Sequence, residues 1–180
     1  INIVTGNGET GAQVSGHADV DKVAFTGSSD VGRIIREQIA GHRKKLTLEL
    51  GGKSPFIVFD DADIDGAVEG LVDAIWFNQG QVCCAGSRLL VQESVADSLH
   101  RKVRERMSKL VLGDSLDKSV DMGALVDQVQ LDKVNRLVRQ GVEEGGELWQ
   151  SPCDPPGEGL FYPPSLLTGV EPSATLAQEE

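Results

Sequence analysis

The chain has 180 residues, enough for one ordinary domain with a proper core and too few for two of typical size. Its 28 acidic and 17 basic residues leave a net charge of -11, which argues against a general binder of nucleic-acid backbones. No apolar run approaches the roughly eighteen residues of a membrane span, so a soluble, cytoplasmic protein with no nucleic-acid or membrane partner is expected. Ile1 opens inside an apolar run and Gln178-Glu179-Glu180 closes without a turn signal, so both ends read as cut from a longer chain.

Residues 1–50 alternate short apolar runs with segments that can be helical. INIV is followed by TGNGETG, DKVAFTG by SSDVGRIIREQIAG, and then comes KKLTLEL. This order of strand, glycine turn, helix and strand predicts part of an open parallel α/β sheet. Val31, Ile34, Ile35 and Ile39 recur at helical spacing and predict a core stripe. The glycine pair and the Ser-Pro step of LGGKSP interrupt regular structure and divide the chain into residues 1–50 and 51–180.

Beyond that boundary FIVF reads as a buried strand, and DDADID opens a helix with carboxylates at its positive end. Ile64, Val68, Leu71, Val72 and Ile75 supply the apolar face of this helix. SRLLVQ reads as a strand, and SVADSLHRKVRERMSKL as an amphipathic helix with Leu99, Val103, Met107 and Leu110 on one side. A further helix from about Asp127 carries Leu131, Val134, Leu137 and Val138 and ends near Gly145-Gly146. Short strands at ELWQ and YPPSLL flank the loop SPCDPPGEG.

Chemistry concentrates in FNQGQVCCAGSR, Phe77 to Arg88, which holds two of the three cysteines among polar and small residues. Neighbouring cysteines rarely bridge each other. They also lack the spacing of two to four that zinc chelation uses, and no histidine lies near, so no metal site is expected. His17, His42 and His100 read as surface or packing residues. A thiol in a polar turn can be activated by donors and a general base, but local pattern does not choose between Cys83 and Cys84. In FTGSSDVG, Gly27, Ser28 and Gly32 would let a phosphate approach a helix N-terminus, although an ordinary β-α turn reads equally well. Glu49 ends a strand before a Gly-Gly turn, where a carboxylate can serve as a base or simply meet water.

In order and spacing, KVAFTGSSDVGR, LTLELGGKSPFIV, DDADID and FNQGQVCCAGSR resemble the signature blocks of the aldehyde dehydrogenase superfamily. The similarity continues through VDQVQLDKV and FYPPSLL to LAQEE. AIWFNQGQVCCAGSRLLVQES, VDMGA and FYPPSLL look most similar to family 16 of that superfamily. The resemblance implies a partial aldehyde dehydrogenase-like α/β fold: the later part of a Rossmann-type cofactor domain, then the earlier part of the α/β catalytic domain. It implies that Cys83, third after Gly80, is the nucleophile and Glu49 its base. It places Gly8, Gly27, Ser28, Val31, Gly32, Leu50, Gly51, Gln130, Lys133 and Glu180 along NAD or NADP, Glu180 on the nicotinamide ribose. Cys84 is a bystander on this reading, and Val82 stands where the family usually has a small residue or a further thiol.

The implied activity is NAD(P)-dependent oxidation of an aldehyde to a carboxylic acid by a full-length homo-oligomer. Two residues the family uses, an oxyanion-binding asparagine and a ribose-anchoring lysine, would lie upstream of Ile1, so the chain alone is expected to be inactive. The alternative is a non-catalytic scaffold acting through protein partners; retention of both Cys83 and Glu49 argues against it. An esterase using the same Cys83 is a third reading. Trp76, Phe77 and Val82 are expected to line an apolar substrate wall.

Overall fold

A strand joined to the next by one short helix can pair with it in parallel only if the connection crosses over. The computed structural model describes residues 1–153 and 156–180, and its chain divides into two units, Ile1–Gly51 and Gly52–Glu180. Each unit contains one such crossover.

In the first unit helix α1, Gly8–Gly16, starts where the Asn7 side chain accepts from the N–H groups of Glu9 and Thr10 at 3.1 and 3.4 Å. Strand β1, Lys22–Thr26, and strand β2, Lys45–Glu49, pair in parallel across helix α2, Ser29–Gln38, with Thr26 opposite Glu49. Gln38 ties α2 to α1, donating to the Ala12 carbonyl at 2.8 Å and accepting from the Ser15 hydroxyl at 3.0 Å. Two expectations need correction. Ile1–Val4 is not a strand: β1 pairs only with β2 among the described residues, so INIV has no ladder to join, and Ile1, Ile3 and Val4 are exposed. Of the α2 stripe only Ile35 and Ile39 are buried, whereas Val31 and Ile34 face out at 41% and 59% exposure, because this small unit covers only one edge of the helix.

In the second unit β3, Pro55–Val58, pairs in parallel with β4, Arg88–Val91, across helix α3, Ile64–Trp76, and a 3₁₀ turn at Phe77–Gly80. Asp63 caps α3 by accepting from the Asp65 N–H at 3.2 Å. Helix α4, Glu93–Met107, lays Leu99, Val103 and Met107, all fully buried, against Val68, Leu71, Val72 and Trp76 of α3 and Val58 of β3. FIVF was expected to be a buried strand; instead it alternates, with Val58 inside and Ile57 and Phe59 outside, as one-sided helical cover dictates. Trp76 is 8% exposed and belongs to this core, so it is not a substrate wall residue; Phe77 is outside and Val82 half-buried.

Helix α5, Gln128–Glu143, is capped by Asp127, whose side chain accepts from the Gln130 N–H at 2.7 Å. Strands β5, Glu147–Gln150, and β6, Ser165–Thr168, then pair antiparallel. β6 starts three residues later than YPPSLL suggested, because Pro163 and Pro164 have no N–H to give a ladder. The loop read at SPCDPPGEG falls partly on Asp154 and Pro155, outside the described residues. A short helix α6, Thr175–Gln178, leads to Glu180. Among the described residues no helix is long and apolar enough to cross a membrane.

Candidate active site

In the first unit, parallel pairing brings Glu49 to the carboxyl end of β2 beside the FTGS turn that leaves β1. The Gly27 N–H donates to the Glu49 carbonyl at 3.0 Å, and the Glu49 side chain is exposed. This is the edge of a parallel sheet where ligands are received. Ser28 caps α2, its hydroxyl accepting from the Val31 N–H at 3.3 Å, while its carbonyl accepts from the Gly32 N–H at 3.0 Å. The amides of Gly27, Val31 and Gly32 are therefore engaged, and among the described residues the orphan donors of the first turn are those of Ser29 and Asp30. Asp30 is held by Arg33 at 2.6 Å, which offsets its charge at this helix end. An anionic diphosphate fits donors of this kind. Gly32 serves packing: a Cβ there would lie 2.8 Å from the Leu50 side chain. Gly8 begins α1 with open space around it, and Gly51 is exposed.

In the second unit the cysteines occupy the two corners of a tight turn closed by the Ala85 N–H donating to the Val82 carbonyl at 2.9 Å. Both thiols are free and exposed, with Cys153 the third free thiol. The turn precedes β4 and so lies at the amino ends of β3 and β4, anchored by Gly86 N–H to the Ala74 carbonyl at 2.9 Å and Arg88 N–H to the Ser54 carbonyl at 3.1 Å. No hydrogen bond engages the Cys83 N–H among the described residues, which leaves it free to donate. Gly52 lies directly on the Cys83 carbonyl, where a Cβ would come within 2.3 Å of the oxygen. Sequence reasoning missed Gly52; the signal was a second glycine where one would have made the turn.

Lys53 was missed as well. Burial pushes its ammonium below the ordinary lysine value, Glu180 opposes that shift, and Arg88 and Lys133 add to it. The structure thus brings two predicted cofactor residues, Lys133 of α5 and Glu180 after α6, into the electrostatic range of Lys53. Gln130 sits in the first turn of α5, half-buried. Glu144, just past α5, orients α6: its carboxylate accepts from the Thr175 N–H and hydroxyl, each at 2.8 Å, and from Gln140 at 2.9 Å. These bonds hold its carboxyl below the usual glutamate range. A groove of about 570 Å³ lined by Leu131, Val138, Leu148, Phe161 and Tyr162 contains none of the candidate site residues.

The family model described as the aldehyde dehydrogenase family matches residues 1–180. The chain belongs to the aldehyde dehydrogenase family. It is 44% identical to horse aldehyde dehydrogenase 1A1 over the whole chain and 36% of that protein. It is 45% identical to a mitochondrial family 2 member B4 of Arabidopsis thaliana, again over the whole chain and 34% of the relative. Among solved structures, an NAD-dependent aldehyde dehydrogenase from Sinorhizobium meliloti matches with a TM-score of 0.93 at 40% identity, over 98% of this chain and 36% of that one. A betaine aldehyde dehydrogenase from Staphylococcus aureus in complex with NAD+ matches with a TM-score of 0.93 at 35% identity, over 98% of this chain and 36% of that one. The chain thus has the α/β fold of one segment of an aldehyde dehydrogenase and spans about 36% of the length of such relatives.

Proposed function

We propose that the full-length protein oxidises an aldehyde to a carboxylic acid with NAD or NADP, using Cys83 as nucleophile and Glu49 as general base. The observation that carries this is the cysteine turn, with an exposed thiol at its first corner and the unengaged Cys83 N–H beside it. The Cys83 thiol releases its proton to solvent and as thiolate adds to the aldehyde carbon, and the resulting oxyanion receives the Cys83 N–H. The nicotinamide, when bound, accepts the hydride that leaves this carbon. Cys83 then carries a thioester, and Glu49 takes a proton from the water that hydrolyses it, returning the free thiol and the acid.

Ser29 and Asp30 N–H would receive the cofactor's diphosphate, and Glu180, Lys133 and Gln130 its ribose. Gly8, Gly27, Ser28, Val31, Gly32, Leu50 and Gly51 complete the cofactor set. We assign the protein to family 16 on AIWFNQGQVCCAGSRLLVQES, VDMGA and FYPPSLL, place it in the cytoplasm as a homo-oligomer, and divide the segment at residues 50 and 51 into cofactor and catalytic parts. The segment by itself is inactive on this reading.

The test is NADH absorbance from the full-length protein across a panel of aldehydes. Cys83→Ala should abolish the signal while NAD binding persists, and Glu49→Gln should lower turnover by about 10²- to 10⁴-fold. Turnover in Cys83→Ala equal to wild type overturns the assignment. Silence of the wild type across the panel despite NAD binding would favour a scaffold.

A further inference from the structure

The turn that carries Cys83 is bonded to its neighbours on both sides, and the upstream side is unusual. Asn78, Gln79 and Gly80 are all left-handed, with φ of 48, 57 and 75°. Non-glycine residues adopt that conformation seldom and singly, so a run of this kind persists only where surrounding bonds impose it. Asn78 supplies one such bond locally, its amide donating to the Gln81 carbonyl at 3.1 Å, and the Gln81 N–H returns one to the Asn78 carbonyl at 3.0 Å.

The two glutamines reach further. The Gln81 side-chain oxygen accepts from the Val126 N–H at 3.1 Å. With the Gln79 amide turned to satisfy both its ends, its oxygen accepts from the Gly123 N–H at 2.8 Å and its nitrogen donates to the Asn78 carbonyl at 3.2 Å. Both acceptors thus grip one strap, residues 121–126, at positions three apart. That strap is itself fixed. The Met122 N–H donates to the Val111 carbonyl at 3.1 Å, the Gly113 N–H to the Met122 carbonyl at 3.0 Å, and the Leu125 N–H to the Leu160 carbonyl at 2.8 Å. Met122, Gly123 and Leu125 are buried, and the strap runs directly into Asp127, the cap of α5, which carries Gln130 and Lys133.

We propose that Gln79 and Gln81 are positioning residues that clamp the nucleophile turn to the strap launching α5, so that the thiol and the cofactor helix share one reference frame. The proposal rests on the reading of Cys83 as nucleophile. What the clamp requires of each side chain is an acceptor oxygen at full glutamine length, because the strap offers only backbone N–H groups.

The test uses the full-length protein with Gln81→Leu, Gln81→Glu and the same pair at Gln79. The leucine variants should lose about 10² in kcat, the loss that an ångström of misplacement brings, with KM for NAD within about threefold of wild type. The glutamate variants, which keep an acceptor, should recover most of that loss. The ratio of iodoacetamide labelling at Cys83 to that at Cys84, resolved by fragment mass spectrometry, should depart from the wild-type ratio in the leucine variants and stay at it in the glutamate variants. Leucine and glutamate variants equally impaired, or leucine variants with wild-type kcat and labelling ratio, overturn the clamp. Should a leucine variant not fold, Gln81→Asn, one methylene short of the strap, is expected to show the same kcat loss and the same labelling change. A wild type silent toward aldehydes would count against the activity, whereas the labelling ratio would still decide the clamp.

Discussion

The packing between α3 and α4 and the turn at Val82–Ala85 are a few residues apart in the chain and are held together by opposite means. The first is apolar and closed, with Leu99, Val103 and Met107 out of contact with water. The second is exposed, and its anchors are backbone hydrogen bonds to Ala74 and Ser54, the carbonyl seat on Gly52, and two glutamine side chains. Helix α3 serves both, burying Trp76 in the core and offering the Ala74 carbonyl to the turn. The two regions are therefore vulnerable in different ways: one tolerates no lost volume, the other no lost direction.

Mutations can break or sharpen that contrast. Cys83→Ala should lower aldehyde-dependent NADH formation at least about 10³-fold and Cys84→Ala by no more than about threefold, with melting temperature unchanged in both. Gly52→Ala should cost about 10² in kcat, since its methyl must displace the Cys83 carbonyl, and a variant with full activity would refute the seat. Leu99→Ala should do the reverse, costing about 2–5 kcal/mol in a denaturant titration of the full-length protein while the folded enzyme keeps its kcat. The smallest effect belongs to Glu144. Because its folded carboxyl lies below the usual range, its hold on α6 is complete above the ordinary glutamate value and is lost as pH falls through the lowered one. Protection factors over residues 175–180, taken relative to the intrinsic exchange rate at each pH, should therefore fall a few-fold in that acid window, and in Glu144→Ala should already be low at neutral pH and stay so as pH falls.

What was legible in the sequence follows the same division. Period and caps located α3 and α5 to within a residue or two, because Asp63 and Asp127 announce their helices, and α4 to within three, since the stripe of Leu99, Val103 and Met107 runs on to Leu110 while the helix stops at Met107. Depth was less legible. The stripe on α2 has the same spacing as that on α4, yet Val31 and Ile34 stand outside, since periodicity records which side is apolar and says nothing of what covers it. Cys83 could be picked out only through resemblance to known signature blocks. Of its supports, Gly52 and the strap at 121–126 are distant in sequence and act through backbone groups that every residue shares, while Gln79 is near but reaches a backbone N–H that no residue type marks.

The left-handed run at Asn78, Gln79 and Gly80 also divides the site for anyone wishing to redesign it. Phe77 precedes the run, Val82 follows it one residue beyond Gln81, and neither has a left-handed backbone, so both can be randomised without disturbing the bend. Positions 78 and 80 accept little beyond glycine, asparagine and aspartate, and position 79 must combine a left-handed backbone with an acceptor at glutamine length; a β-branched side chain at any of the three would force the chain out of its bend. A combinatorial library spanning 77–82 would therefore waste most of its members on the four codons from Asn78 to Gln81, and one confined to Phe77 and Val82 would not.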